Sequence, residues 1–542
     1  MKLEITNGKS TQEITEHYLR DFERVRSLYE YNPRQPEDWE RRARRLNERV
    51  VPDGHRDRLA DAMLAYNSLL SNDDKALANI ALLREPETLV VVGGQQAGLF
   101  TGPLLVIYKA ITILQAAAKA SAELNRPVVP VFWIAGEDHD WDEVNHIYYL
   151  SQKQDVERIK LDQPEGTRTS VSRIRIADWE EMVGQLEESL LPTEFKPDLM
   201  AKLREFAASS GTLSDYFGRI MAWLFGESGL VLMDSDDPAI RRVESEMFIR
   251  FLENQEELAS AYRNGREQVE SLGYKPQAEV YEENANLFLY DDDGERFLLQ
   301  RDGGGFTDKK KERRFTKEQL LELARTAPER FSNNVMTRPI MQDFLFPVLA
   351  AVLGPGEIAY WGLLKDGFRT LGMEMPLLLP RSEFTLIEGT VKKHMDKFGL
   401  TSEVVAERFG EFKANWLKEQ DTLNLDERFA EVKEKFRGLY NPLLEAVGAI
   451  NPGMAKLGDT NYLKIMEQIE FFEARAKGAN ESQFEASLRQ LDRIQLSLYP
   501  LGKPQERVYN VFAYLNRYGH WWLKELAEQA PAGDGLHRLV YL

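Results

Sequence analysis

Hydrophobic and polar positions change their spacing along the chain. Up to about residue 85, apolar residues recur at helical intervals: Tyr18, Phe22, Val25 and Leu28/Tyr29, then Leu59, Met63, Tyr66 and Leu70. Such stripes predict amphipathic helices, here a charged helical wrapper with turns at Asn32-Pro33 and 51–54. Residues 89–92 (LVVV) then form a wholly apolar, β-branched run, read as a strand buried on both faces and ended by Gly93 and Gly94. Gly102-Pro103 opens a helix whose apolar stripe is Leu104, Tyr108, Ile111 and Leu114. A second buried strand covers 127–135. Strand, Gly-rich turn, helix, strand is a βαβ unit, and in such units ligands sit at the carboxyl ends of the strands. Those ends carry GGQQAGLFTG and GEDHD.

Beyond this unit, 143–228 reads as an insertion. It has strand-like alternation in SVSRIRI and helical patterns at 178–190 and 197–225. GLVLM (229–233) is a third buried strand, and the acids of 234–237 with Pro238 cap a long helix. Residues 274–315 form a second insertion of β character, with a hairpin at Asp293-Gly294. GGGFTDKKKERRF reads as a mobile stretch, and its basic run 309–314 as a solvated loop. Residues 333–380 return to the core. From about 388 to 500, Phe429, Val432, Phe436, Leu439 and Leu443 alternate spacings of three and four, as do Tyr462, Ile465, Ile469 and Phe472. This predicts antiparallel helices in coiled-coil packing, with short seams broken by Pro442, Pro452 and Gly478. The expected organisation is an α/β core with a parallel sheet over 1–387, a helical domain over 388–500, and a C-terminal segment, 501–542, packed back on the core.

Composition narrows the function. The 542 residues are 43% hydrophobic, enough for a large core and two or three domains. No apolar run approaches the length of a membrane span, and no signal-peptide pattern opens the chain, so a cytoplasmic protein is expected. Cysteine is absent, which excludes disulfides, thiolate metal sites and a cysteine nucleophile. A net charge of −19 argues against general nucleic-acid affinity.

Candidate chemistry gathers at the strand ends. Backbone N–H groups at a helix start make an anion site, so Gly94, Gly98 and Gly102 allow close approach, while Gln95, Gln96 and Thr101 can add hydrogen bonds. The turn fits neither GxxxxGK[ST] nor GxGxxG; its structural alternative is a tight turn with capping glutamines. In Glu137-Asp138-His139-Asp140, three carboxylates around an imidazole can orient a general base or bind Mg²⁺ or Zn²⁺; the alternative is a charged loop capping the next helix. Asn334, Arg338 and Gln342 are substrate-binding candidates, because an arginine fork clamps carboxylates or phosphates. Glu357, Tyr360 and Trp361 surround another Gly-rich turn, and Arg381 and Ser382 follow an apolar run.

GQQAGLFTGP, VPVFWIAGEDHDWDEVNH and RPIMQDFLFPVLAAVLGPGEIAYW together resemble the bacillithiol biosynthesis cysteine-adding enzymes, the BshC family, and the resemblance covers essentially the whole chain. It implies a ligase that joins L-cysteine to the amine of glucosaminyl-malate with ATP, and Mg²⁺ with the nucleotide. It also implies a Rossmann-like core similar to class I aminoacyl-tRNA synthetases, and a coiled-coil domain that pairs two protomers. Gly94, Gln95, Gln96, Gly98, Thr101 and Gly102 would then approach the nucleotide, and Glu137, Asp138, His139 and Asp140 would carry catalysis in the same cleft. HIGH and KMSKS signatures are absent. Without cysteine no thiolate zinc site is expected, so other groups must recognise the thiol. Two readings compete: a metal-dependent hydrolase using the EDHD cluster, and a non-catalytic coiled-coil assembly protein.

Overall fold

Five parallel strands form the centre of the larger of two units: β1 (Leu89–Gln95), β2 (Val128–Ile134), β3 (Val231–Asp234), β4 (Val348–Leu353) and β5 (Leu377–Pro380), in the spatial order β5-β4-β1-β2-β3. The computed structural model describes residues 1–6, 12–151, 153–162, 169–420, 424–450, 452–529 and 533–542. The larger unit comprises Met1–Leu386 and Lys503–Leu542, and the smaller Ile387–Gly502. β1 to β4 are buried almost throughout, which is why their sequences are continuous apolar runs rather than alternating ones.

β1 does not stop at Gly93 and Gly94. It continues in register with β2 as far as Gln95 opposite Ile134. The glycines are there for close approach: a Cβ on Gly94 would lie 2.7 Å from the Trp133 carbonyl oxygen. The chain builds β1, β2 and β3 outward in one direction and returns to place β4 on the other side of β1. The strand order therefore reverses between β1 and β4, the point at which an open α/β sheet forms its crevice.

Helix α1 (Leu104–Leu124) packs on the sheet. Contrary to the expectation from sequence, it is long and apolar enough to cross a membrane, but 72% of its apolar window is buried within the protein. The N-terminal region is helical as expected, except that Lys2–Ile5 is a strand paired antiparallel with His537–Tyr541.

Among the insertions, SVSRIRI forms a short 3₁₀ turn at Val171–Arg173 rather than a strand. The Asp293-Gly294 hairpin joins Asn284–Tyr290 to Arg296–Asp302 in a second five-stranded sheet. The stretch read as mobile is a further hairpin of that sheet, with Arg314 opposite Thr307. Its turn is tied by Asp308, which accepts from the backbone N–H groups of Glu312 and Arg313.

The smaller unit is helical. Its two longest helices, Leu425–Gly448 and Pro452–Ser482, pack together, with Phe436 stacked on Tyr462 at 5.7 Å. Pro442 and Gly478 lie inside these helices and do not interrupt them, and Pro452 begins the second.

Candidate active site

At the reversal point the carboxyl ends of β1 and β4 open into a cleft of about 540 Å³, within the range of small-molecule sites. β1 and the residues after it contribute Gly94, Gln95 and Gln96, and the segment after β2 contributes Asp138 and Glu143. Helix α2 (Arg338–Leu345) adds Arg338 and Gln342, and helix α3 (Pro355–Trp361) adds Glu357, Tyr360 and Trp361. Lys109 of α1, with Arg381 and Arg507, completes the polar wall. Ten of the residues singled out from the sequence are thus brought together. Gly98, Thr101, Gly102, Glu137, His139, Asp140, Asn334 and Ser382 are not among the lining residues.

Those eight have other surroundings. Phe100 and Thr101 have φ values of 48° and 70°, in the left-handed region that side-chain-bearing residues avoid. Asn510 holds this turn, its Nδ2 donating to the carbonyls of Phe100 and Gly102, each at 2.7 Å. The N–H of Leu104 donates to the carbonyl of Tyr509. The start of α1 is therefore capped by protein, and the phosphate cradle expected from Gly98, Thr101 and Gly102 does not face the cleft. Asn334 caps the entry to α2, accepting from the N–H groups of Met336 and Thr337. The N–H of Ser382 donates to Thr112 Oγ1.

The EDHD cluster is split rather than gathered. Glu137 is fully buried and faces arginines: its Oε2 accepts from Arg241 Nη2 at 2.6 Å and its Oε1 from Arg338 Nε at 3.0 Å. Asp138 turns to the cleft, where its Oδ2 accepts from Gln96 Nε2 at 2.8 Å. Burial pushes its carboxyl up, but Arg338, the Gln96 amide and Arg296 outweigh that and hold it below the usual carboxylate range. His139 has Arg296 Nη1 at 2.5 Å from its Nδ1, not a cage of three acids. A guanidinium only donates, so Nδ1 is the acceptor and Nε2 carries the proton. Asp140 is exposed. Among the described residues no group of three or more histidines and acids has an arrangement that could hold a metal ion. This dispersal gives the hydrolase reading no support.

Two further residues of the cleft wall, Lys109 and Glu143, had little signal in the sequence. Lys109 is 1% exposed, and its Nζ donates to Glu357 Oε2 at 2.6 Å and to the Gly94 carbonyl at 2.7 Å. Burial lowers its pKa against the upward pull of Glu357. Its one signal was a charge inside the apolar first half of the helix. Arg381 is locked by a two-pronged bond to Glu506, at 2.8 and 2.6 Å, so its fork is already occupied. Glu143 lines the cleft with its carboxyl pushed up by burial and by Asp140 and Asp138.

Comparison with known proteins agrees with this architecture. Residues 1–382 match the family described as "Bacillithiol biosynthesis BshC, N-terminal Rossmann-like domain", and residues 384–542 match "Bacillithiol biosynthesis BshC, C-terminal coiled-coil domain". A protein of Symbiobacterium thermophilum named "Putative cysteine ligase BshC" is 38% identical over 97% of each chain. Proteins of the same name from Bacillus cereus and Bacillus cytotoxicus are 35% identical over 98% of each chain, and 37% identical over 90% of this chain and 91% of theirs. With both domains matched end to end and the switch-point cleft in place, the chain belongs to the BshC family of bacillithiol biosynthesis.

Proposed function

We propose that the protein joins L-cysteine to the amine of glucosaminyl-malate, using ATP to activate the cysteine carboxylate. The observation that carries this reading is Arg338. It sits on the cleft wall, and among the described residues the one hydrogen bond its guanidinium makes runs from Nε to Glu137. Its two terminal nitrogens are left for a substrate carboxylate.

In this reading a carboxylate oxygen of cysteine attacks the α-phosphorus of ATP, the bond to the β-phosphate breaks, and pyrophosphate leaves. The neutral sugar amine then attacks the acyl carbon and AMP departs. Gly94 and Gln95 of β1, with Gln96 just after it, would face the nucleotide, since Gly98, Thr101 and Gly102 of the turn before α1 do not line the cleft. The analogy with class I aminoacyl-tRNA synthetases would put it at the same strand ends. Asp138 would supply carboxylate oxygens for a Mg²⁺ held mainly by phosphates. Glu143 is the proton acceptor this arrangement offers to the attacking amine. His139 can take that proton only when Arg296 releases Nδ1.

Incubating the enzyme with cysteine, glucosaminyl-malate and each nucleotide in turn, with mass spectrometry of the products, tests the proposal. Bacillithiol, AMP and pyrophosphate in equal amounts, none formed without cysteine, are expected. ADP with phosphate would refute the adenylate step, and no amide product with any nucleotide would refute the ligase.

We also propose that two copies pair through the smaller unit. There Leu439, Ile450, Leu457 and Leu463 are each more than half exposed, apolar side chains that pairing would cover. A protein–protein interface of ordinary size buries roughly 1,600 Å². Replacing the exposed Leu439 and Leu463 by Lys should halve the molar mass seen by light scattering; an unchanged mass would count against pairing here.

A further inference from the structure

Glu137 is too deep to meet a substrate, yet it is the protein's one hydrogen-bonding partner for Arg338 among the described residues. Both its oxygens are committed. Oε1 accepts from Arg338 Nε, while Oε2 accepts from Arg241 Nη2 and from the backbone N–H of Asn333 at 3.1 Å. Three donors from three separate elements hold the carboxylate. Arg241, also fully buried, is fixed in turn by Nη1 donating to Glu244 Oε2 at 2.6 Å. Asn333 ends the strand Phe331–Asn333, just before the turn into α2. The carboxylate is therefore referenced both to α2's entry and to the helix Pro238–Glu253 that carries Arg241.

We infer that Glu137 is a positioning residue. Anchored by Arg241, it holds Arg338 by Nε so that the two terminal nitrogens stand ready as a fork for a substrate carboxylate. This rests on the carboxylate-clamp reading of Arg338 proposed above. A long, flexible arginine gives up rotamer freedom when it closes on a ligand; fixing its plane beforehand moves that cost out of the binding step.

Glu137→Gln tests this, because it keeps the shape but replaces one acceptor oxygen by an amide nitrogen, which donates and cannot accept. The expected result is a rise of roughly three- to tenfold in KM for one of the two carboxylate substrates, cysteine or glucosaminyl-malate. The kcat should stay within about twofold, and the melting transition should remain cooperative. Arg338→Gln should raise the same KM further, and the double variant should be no worse than Arg338→Gln alone, since Glu137 acts only through Arg338. Should Glu137→Gln not fold, Glu137→Asp replaces it in the cycle: it keeps the charge but is one methylene too short to reach both arginines. Multiplicative effects in the double variant, or a fall in kcat with KM unchanged, would overturn the positioning role. If Arg338→Gln itself leaves both KM values unaltered, the clamp reading fails and this inference with it. If Arg338→Gln raises a KM while the Glu137 variant is silent, only the positioning role fails.

Discussion

Arg241→Met should destabilise the larger unit by about 3–5 kcal/mol, read as an early unfolding transition in denaturant. Arg241 has no exposed surface and is shared by Glu137 and Glu244 at 2.6 Å each, with Asp236 at 3.7 Å. Methionine fills similar space but leaves these carboxylates facing one another without their shared cation. Burial already pushes the Glu244 carboxyl up to about 7 in the parent, with Glu137 and Asp236 adding to the rise against the pull of Arg241. Removing Arg241 can only push it higher. A carboxyl whose folded pKa lies above its unfolded value contributes stability that is present at low pH and lost as pH rises through the folded pKa. The deficit of Arg241→Met relative to the parent should therefore be small near pH 5 and grow through pH 7 to 8, as the protons that relieve the repulsion leave. A deficit independent of pH would mean that packing, not charge, is what Arg241 supplies.

Lys109→Met should lower kcat/KM for the proposed ligation on the order of 100-fold, the cost of displacing site groups by about an ångström. Lys109 ties the end of β1 to α3: it donates to the Gly94 carbonyl and to Glu357, while Glu357 also accepts from the Gly354 N–H at 2.7 Å. Without the ammonium, the Gly94 carbonyl loses its side-chain donor and the Glu357 side chain is held by Gly354 alone. The two cleft walls at the switch point are then no longer fastened to each other. The stability loss should be modest, about 1–3 kcal/mol, because about a third of Glu357 faces solvent and is screened. Lys109→Arg would keep the charge, but the larger guanidinium has no room in a position only 1% exposed, so it should not restore turnover. Parental kcat/KM in Lys109→Met would show that the cleft does not depend on this tie.

The outline of the fold was legible where burial is two-sided. LVVV, VVPVFWI and GLVLM are apolar without interruption, and the structure makes each of them a strand of the parallel sheet. The Asp293-Gly294 hairpin was legible because its turn chemistry is local. Glycines misled in both directions. Gly93 and Gly94 read as a strand end, yet they are strand residues chosen for the absence of a Cβ. GGGFTDKKKERRF read as mobile, although Asp308 and cross-strand pairing order it. Proline and glycine in the helical unit misled likewise, because a long helix packed on a neighbour carries a Pro442 or a Gly478 at a cost that packing offsets.

What the sequence determined by itself is what depends on neighbours along the chain: the strands, the first turn, the helical stripes, and the fact that polar residues gather at strand ends. Which of those residues meet was decided by the tertiary structure. Glu137 and His139 are adjacent in sequence to Asp138, yet only Asp138 of the three lines the cleft. Glu137 instead reaches Arg241, 104 positions away, and Arg338, 201 positions away. Arg381, a binding candidate in the sequence, has its fork closed by Glu506, 125 positions on. The reason is physical. A charge becomes a binding group or a buried anchor according to its partner and its exposure, and both are set by strand order and by the packing of helices on the sheet, which no local pattern of residues encodes.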